Sequence, residues 1–575
     1  MKFGLAPSRL VTGVGIVLAL WFLLTFLYLP NGAVVHSVLN SEFGGPLEVV
    51  GEVWGSARVQ RAILTTLVVT AISLVSVTLV GVTQAFILEA FELRGKWLLT
   101  LAYATPLVFS SVSAVTGYVM IYGNEGIATK GLQAIFPSIP SNWFSGIPAI
   151  IIVHTFTMTS YHFLFLRPAI RNLDFSVVEA ARSLGQPVIR ALIQVVIPLM
   201  RPMIFASLFM VLIGSLSSFA APNILGGRDT PMVGPLVLEL NQLGRPDMAA
   251  VLGGSLAIVT AGGLVWALRV ERRANIFAVN KSARPFKPIR VRRPAMRVGV
   301  YLVAYGLAFI NLAPLALISL LAFSPSEDIR AGKVTGGFTA EHFRTAFSDP
   351  NASQPIVNSL ILTLIAISIT LVLGTFISHL AHQRRNRLTD VLQLSVFLPY
   401  FLPGVLIALG FLIIFGDSNA LLGGSVLVGS FWILPLAYVV VLLPTFVRFV
   451  RATYSSIDPG LEDAAKSLGA TPMRRFTTVA FPALLPVLIQ VSALGFNQSF
   501  DEYTVSVMLY NVSNQPLGVV MGGLAAAPDP GLVGIATAYV VLNTAIALVV
   551  ILGADRCSVL ASRRLTGAAR RVKTR

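Results

Sequence analysis

Twelve runs of mostly apolar residues decide what this chain can fold into, because a helix of ~20 such residues crosses the hydrocarbon core of a bilayer. Six come first: Leu10–Pro30, Ala62–Phe86, Trp97–Tyr122, Ile147–Leu166, Met203–Ala221 and Met248–Leu268. Six follow: Val298–Phe323, Ile356–Leu380, Val391–Phe415, Val426–Val447, Leu484–Phe500 and Gly531–Leu552. The expected fold class is therefore all-α and integral to the membrane, two tandem six-helix units with about twelve spanning helices. The first run is longer than the core of a secretory signal and lacks a small-residue cleavage site, so it is expected to remain as a helix.

The net charge of +17 would suggest a nucleic-acid partner in a soluble protein. In a membrane chain basic residues mark the loops held on the cytoplasmic side, and no nucleic acid is expected. Ten Lys or Arg against one Glu fall in Arg269–Arg297, between the two sets of six; Arg384, Arg385 and Arg387 follow the eighth run, and Arg563, Arg564, Arg570, Arg571, Lys573 and Arg575 fill the C-terminal tail. All lie on one side if both termini are cytoplasmic. The expected organisation is a first membrane domain (1–274), a basic linker (275–295), a second membrane domain (296–556) and a basic tail (557–575).

The two sets of six are copies of one unit. Thr65–Leu67 aligns with Asn358–Leu360 at an offset of 293, which also places Pro106 on Pro399 and Tyr122-Gly123 on Phe415-Gly416. Later the offset is 284: Arg167 meets Arg451, Asp174 meets Asp458, and Pro198 meets Pro482. With an even number of helices in each, both copies face the same way, a parallel repeat.

Between the fourth and fifth runs of each copy lies a charged interruption, EAARSLGQPVIRALIQVVIP from Glu179 and DAAKSLGATPMRRFTTVAFP from Asp463. Asp458 followed by Pro459 is a helix start, an N-cap carboxylate before a proline at the first helical position, with Asp174 at the matching site. Glu179 with Arg182, and Asp463 with Lys466, are opposite charges at i,i+3. Ala180-Ala181 and Ala464-Ala465 offer a small, close-approach face, and Gly185 and Gly469 stand where a left-handed residue stops a helix. A second helix is expected to restart at Pro187 or Thr471-Pro472 and to end at Pro198 and Pro482. A single such segment could be an amphipathic connector lying on lipid. Two matching ones on one face are better explained as docking knobs for a partner with two equivalent sockets.

In these residues the chain resembles the permease subunits of type I ABC importers, whose loop runs Glu-Ala-Ala, three residues, Gly, nine residues, then an apolar triplet followed by Pro. The first copy keeps Glu179, Ala180, Ala181, Gly185 and Pro198; the second keeps Ala464, Ala465, Gly469 and Pro482 and replaces the Glu by Asp463, with Glu462 beside it. The resemblance covers nearly the whole chain as two fused MetI-like domains. It implies a bacterial inner-membrane permease working with two copies of an ATP-binding subunit and an extracytoplasmic solute-binding protein. The loops would be coupling helices seated in the ATPases, which hold the ATP-Mg; no cofactor is expected on this chain.

The chain has no G-x-x-x-x-G-K-[ST] phosphate loop, no HExxH and no nucleophile elbow, and its six histidines lack metal-ligand spacing, so neither catalytic residues nor a metal site are expected. Its one cysteine, Cys557, excludes an internal disulfide. The candidate solute path is "NQSFDEYTVSVML", because acids near a membrane span are costly and so suggest function. Asp501 and Glu502 stand there, with Ser217 and Ser218 at the matching places of the first copy. The acids suit a cationic solute, unless they lie at the outer rim and meet the binding protein. "SSFAAPNILGG", "SFDEYTVSVML" and "GGFTAEHFRTAF" resemble polyamine-type permeases, while fused two-domain permeases are commoner in the ferric-iron and thiamine branches. The alternative is an ion-coupled secondary transporter built from the same repeat.

Overall fold

The computed structural model describes residues 7–573 apart from 108–110, 125, 172, 174, 228, 275–287, 292, 332–336, 384–385 and 525–529. The helices that organise the first unit are α1 (Thr12–Leu39), α2 (Ala57–Ala90), α3 (Lys96–Ala104), α4 (Ser111–Tyr122), α5 (Gly146–Arg171), α6 (Phe175–Ser183), α7 (Leu192–Leu216) and α8 (Pro246–Ala274). The second unit repeats them in order: α9 (Pro294–Ala322), α10 (Pro350–Gln383), α11 (Arg387–Phe401), α12 (Gly404–Phe415), α13 (Ile433–Tyr454), α14 (Pro459–Ser467), α15 (Pro472–Ser499) and α16 (Pro530–Lys573). Most of the expected linker lies outside the described residues. The tail expected from Cys557 is no separate segment: α16 continues through it to Lys573.

Nine of the described helices are long and apolar enough to cross a membrane singly. The third run of each copy departs from the straight span expected. In the second copy α11 and α12 meet at 109°, across a 3₁₀ turn, Leu398–Phe401, that carries Pro399 and is followed by Pro403. In the first, α3 ends in a 3₁₀ turn, Thr105–Leu107, that carries Pro106. Proline removes a backbone donor and crowds the preceding turn, so an apolar run can bend while remaining apolar throughout. The 12 residues of α4 and of α12 reach roughly 18 Å, part of the way through a bilayer.

A second departure concerns Pro198 and Pro482, which do not end the helix after each knob. A π-turn, Leu192–Val196 or Phe476–Ala480, joins that helix to the next span without a break. Ile197 and Phe481 donate to the carbonyls five residues back, Leu192 and Phe476, and the proline follows at once. The widened ladder takes in a residue that has no N–H to give. The tenth run is also displaced, to Ile433–Tyr454, because Gly423, Gly424 and Gly429 hold the preceding loop in left-handed turns.

Within each unit the long helices bundle, α2 with α5 and α7, and α10 with α13 and α15. The first helix of each unit stays against its unit's last helix, α1 on α8 and α9 on α16, and also reaches the other unit: α1 packs on α12 and α9 packs on α3 and α4. Phe26 of α1 lies against Phe411 and Phe415 at 6.3 and 5.6 Å between ring centroids. Tyr103 of α3 donates to the Ala304 carbonyl of α9 at 2.8 Å. Glycine permits both crossings. A Cβ on Gly410 would lie 2.6 Å from the Pro30 carbonyl oxygen, and one on Gly117, its equivalent at offset 293, would strike Ile318.

Candidate functional site

The two knobs are nine-residue helices, α6 and α14, that close in the same way. Gly185 and Gly469 take φ of +83° and +78°. The residue after each donates to a carbonyl five back, Gln186 to Ala181 at 3.2 Å and Ala470 to Ala465 at 3.0 Å. This cap satisfies orphan carbonyls and fixes the direction of the exit. Asp458 caps α14 through the Gly460 N–H at 2.9 Å; Asp174 lies outside the described residues. Glu179, Ala180, Asp463 and Ala464 are exposed, and Ala181 and Ala465 are half-buried. Glu462 turns toward His382 at 3.5 Å, which leaves Asp463 at the place matching Glu179. Leu184 and Leu468 stand 85% and 88% exposed at the tips, where neither composition nor spacing had marked them. Pro198 and Pro482 lie beyond the π-turns, where the helix after each knob is continuous with its span.

Under the first knob, Glu89 at the end of α2 receives Arg167 and Arg171 from the end of α5 at 2.6 and 2.9 Å, and Lys96 at 3.0 Å. A buried carboxylate with three cationic partners ties α2, α3 and α5 together at this face. In the second copy His382 occupies the equivalent place.

At the joint between the units, Asp501 is 2% exposed. Its Oδ2 accepts from Ser113 Oγ of α4 at 3.0 Å and from Asn543 Nδ2 of α16 at 2.6 Å, and Asn543 also donates to Ser113 at 2.9 Å. Asn543 stands thirteen residues beyond Pro530, roughly 20 Å along α16. Glu502 has another setting. It accepts from the Val505 and Ser506 N–H groups and from Ser506 Oγ at 2.7 to 3.1 Å, capping a short turn of helix, and Ser506 reaches Tyr438 at 2.6 Å. Between the acids and their counterparts, Tyr503 meets Phe219, its equivalent at offset 284, with ring centroids 5.8 Å apart. Asn223 donates to the Tyr503 hydroxyl at 2.7 Å. The pseudo-twofold relation between the units therefore passes beside Asp501.

Ser217 and Ser218 sit in the turn that ends α7. Ser218 Oγ bonds His154 Nε2 at 2.9 Å, while Ser73 and Ser215 stand 3.3 and 3.4 Å from Nδ1. Two turns away His162 bonds Ser207 at 2.7 Å and Thr78 at 3.1 Å. The first unit thus carries a buried polar ladder between α2, α5 and α7. At matching places the second unit has Ala366, Leu371, Tyr438, Phe446 and Val491. Sequence reasoning missed the ladder and the partners of Asp501. The signal for the ladder was two histidines eight apart in one apolar run, which place both on one helix face. Among the described residues no group of three or more His, Cys, Asp or Glu is gathered as for a metal ion.

Residues 90–273 and 370–566 each match the family of binding-protein-dependent transport system inner membrane components. A probable ABC transporter permease protein, y4fN, of Sinorhizobium fredii is 38% identical over 96% of this chain and 97% of its own length. A ferric transport system permease protein, FbpB, of Actinobacillus pleuropneumoniae is 22% identical over 78% of this chain and 64% of its own. A putative 2-aminoethylphosphonate transport system permease protein, PhnV, of Salmonella paratyphi A is 27% identical over 42% of this chain and 87% of its own. The chain belongs to the binding-protein-dependent ABC permeases of the inner membrane, a non-enzymatic subunit with two copies of the family's unit fused in one polypeptide.

Proposed function

We propose that this permease forms the whole translocation path of one ATP-driven importer, with two ATPase subunits docked on α6 and α14 and a small cationic solute passing beside Asp501. Membership of the family removes the ion-coupled carrier and implies ATP-binding and solute-binding partners in general; the copy number and the solute are the proposal. The observation that carries it is the pair of matching knobs, each capped by a left-handed glycine and tipped by a leucine more than four-fifths exposed. A leucine left in water at two equivalent places is explained by two equivalent apolar sockets. Each knob is joined through its glycine turn to the helix that runs on through the π-turn into α7 or α15, so a push on the knob reaches the span whose far end leads to Ser217 or Asp501. Both termini are then cytoplasmic.

For the solute, Asp501 supplies one negative charge at the joint, and no matching acid stands in the first copy. A polyamine, ferric iron or thiamine would meet that charge favourably. The FbpB name agrees with a cation, whereas an aminoethylphosphonate, as in the PhnV name, carries both signs.

The test is uptake of labelled putrescine, spermidine, thiamine and ferric iron in cells lacking the chain, rescued by wild type, Asp501→Asn, or the pair Leu184→Asp and Leu468→Asp. The tip variants are expected to abolish uptake of whichever solute the wild type restores and to lose the ATPases on purification. Asp501→Asn is expected to lower uptake at least tenfold with the ATPases retained. Full uptake in Asp501→Asn would remove the acid from the path. ATPases retained at wild-type stoichiometry by the tip variants would remove the knobs as the docking site.

A further inference from the structure

On the face that carries the knobs, three guanidinium groups from both units surround a cavity for which none of the functions above has a use. The last part of the linker crosses the end of α2 as a short parallel bridge: Ile289 donates to the Ala90 carbonyl at 2.8 Å and accepts from the Glu92 N–H at 3.2 Å. With Ile289 buried, Arg290 is held beside the loop that leads into α3. Two tyrosines of α9 clamp that loop. The Arg94 N–H donates to the Tyr301 hydroxyl at 3.1 Å, and the Tyr305 hydroxyl donates to the Arg94 carbonyl at 2.6 Å. Arg297 lies over the Tyr301 ring, 5.8 Å from its centroid.

Arg94, Arg290 and Arg297 line one cavity of about 290 Å³, with Glu92 also at its wall. Among the described residues none of the three forms an ion pair with a carboxylate, so the wall carries a net charge near +2. That is an unusual way to leave three arginines whose main chain or ring contacts are otherwise fixed. Planar guanidiniums presenting several donors to one space match the oxygens of a phosphate.

The surroundings say which phosphate. Below the cavity the outer faces of α3 and α9 are apolar and exposed: Trp97 and Leu101 on one, Val298, Leu302 and Phe309 on the other. Those faces meet lipid in a membrane, and Trp97 suits the headgroup level. A molecule with its phosphate among the arginines and its tails along this track would fill both environments at once. We propose that the cavity binds the headgroup of an anionic phospholipid of the cytoplasmic leaflet, which bridges Arg94 of the first unit, Arg290 at the end of the linker and Arg297 of the second unit. Anionic lipid attracts juxtamembrane cations, and a pocket between helices turns that attraction into a site. A lipid so placed adds a staple between the two units beside the Ile289 bridge and the tyrosine clamp.

The test is native mass spectrometry of the full chain, extracted from membranes containing phosphatidylglycerol and cardiolipin and from zwitterionic nanodiscs to which either lipid is added. The wild type is expected to retain one anionic lipid. Arg290→Ala/Arg297→Ala is expected to bind it roughly thirty-fold more weakly, and Arg94→Ala, whose main chain stays clamped, about fivefold, at the scale of one juxtamembrane cation each. Arg290→Lys/Arg297→Lys should stay within several-fold of wild type, separating charge from folding. Arg387→Ala/Arg556→Ala, an equal loss of charge at exposed places elsewhere, should leave binding unchanged. Retention unaffected by the cavity variants, or lost equally in the distant control, overturns the site. Displacement of the lipid by inorganic phosphate, or phosphate binding to the delipidated chain that the cavity variants abolish, would make it a soluble-anion site and overturn the lipid.

Discussion

Asp501 shows how much one side chain can depend on residues far away in sequence. Its carboxylate meets Ser113 and Asn543, 388 and 42 positions distant, and serine and asparagine carry no distinguishing signal in a chain of this length. The acid was legible because charge in an apolar run is costly; its partners were not, because only the packing of α4 against α16 brings them there. Glu502 was legible as an acid but not as a cap, since the bonds it accepts from Val505 and Ser506 are local turn chemistry inside a segment read as a span end. Removing the Asp501 carboxylate with Ala takes away a buried acceptor shared by Ser113 and Asn543, a cost of about 1–3 kcal/mol. Asp501→Ala should therefore lower the melting temperature of the purified permease by several degrees. Asp501→Asn keeps one acceptor oxygen for one donor and should melt closer to wild type. If both variants melt as wild type does, the hydrogen bonds do not hold the units together. The separation matters for function, because an Asn variant that stays folded and loses uptake isolates the charge itself.

At the scale of the element, local chemistry was read correctly and direction was not. The knobs were legible because caps, prolines and left-handed glycines act within a few residues, and α6 and α14 end where Gly185 and Gly469 require. The bends at Pro106 and Pro399 were aligned in sequence yet read as straight spans, since an apolar run records burial and not the angle between its halves. The π-turns before Pro198 and Pro482 were illegible for a similar reason: a proline normally ends a helix, and only a widened turn admits it. Alanine at Gly185 or Gly469 forces a Cβ into the left-handed region at about 1 kcal/mol. Because each knob is an exposed end, Gly469→Ala should leave the melting temperature within error and weaken ATPase association severalfold, read by co-purification. The paired glycines at the helix crossings separate in another way. At Gly410 the obstacle is the Pro30 carbonyl, part of a helix backbone, whereas at Gly117 it is the movable end of Ile318. Gly410→Ala should cost about 1–3 kcal/mol, in the range of overpacked cores, and Gly117→Ala clearly less. A calorimetric scan of both variants in the same detergent decides it, and equal melting temperatures would mean that α1 moves as easily as one methyl group.

The whole molecule is a near-twofold object whose two halves are not chemically alike. The repeat predicted the backbone, helix for helix, but each unit's first helix also packs on the other unit, a contact that no hydropathy pattern records. Side chains break the symmetry where the interior is polar: the His154 and His162 ladder belongs to the first unit, and Asp501 to the second. The knobs escape this divergence, with their cap geometry, exposure and terminal leucines kept in both. That contrast bears on the proposed stoichiometry: if each knob takes one ATPase subunit, a single chain supplies both docking places. Light scattering of the detergent-solubilised importer should give one permease for two ATPase subunits, and two permeases for four would refute it. If one ATP-driven closure moves both halves, the knobs must also act together. Glu179→Arg and Asp463→Arg should each abolish uptake alone, with one ATPase still bound through the intact knob. An additive pattern, half the rate for either variant and none for the double, would instead mean that each unit is driven separately by its own ATPase. The reach of α1 and α9 onto the other unit argues against that result, because neither half can move without carrying a helix packed on the other.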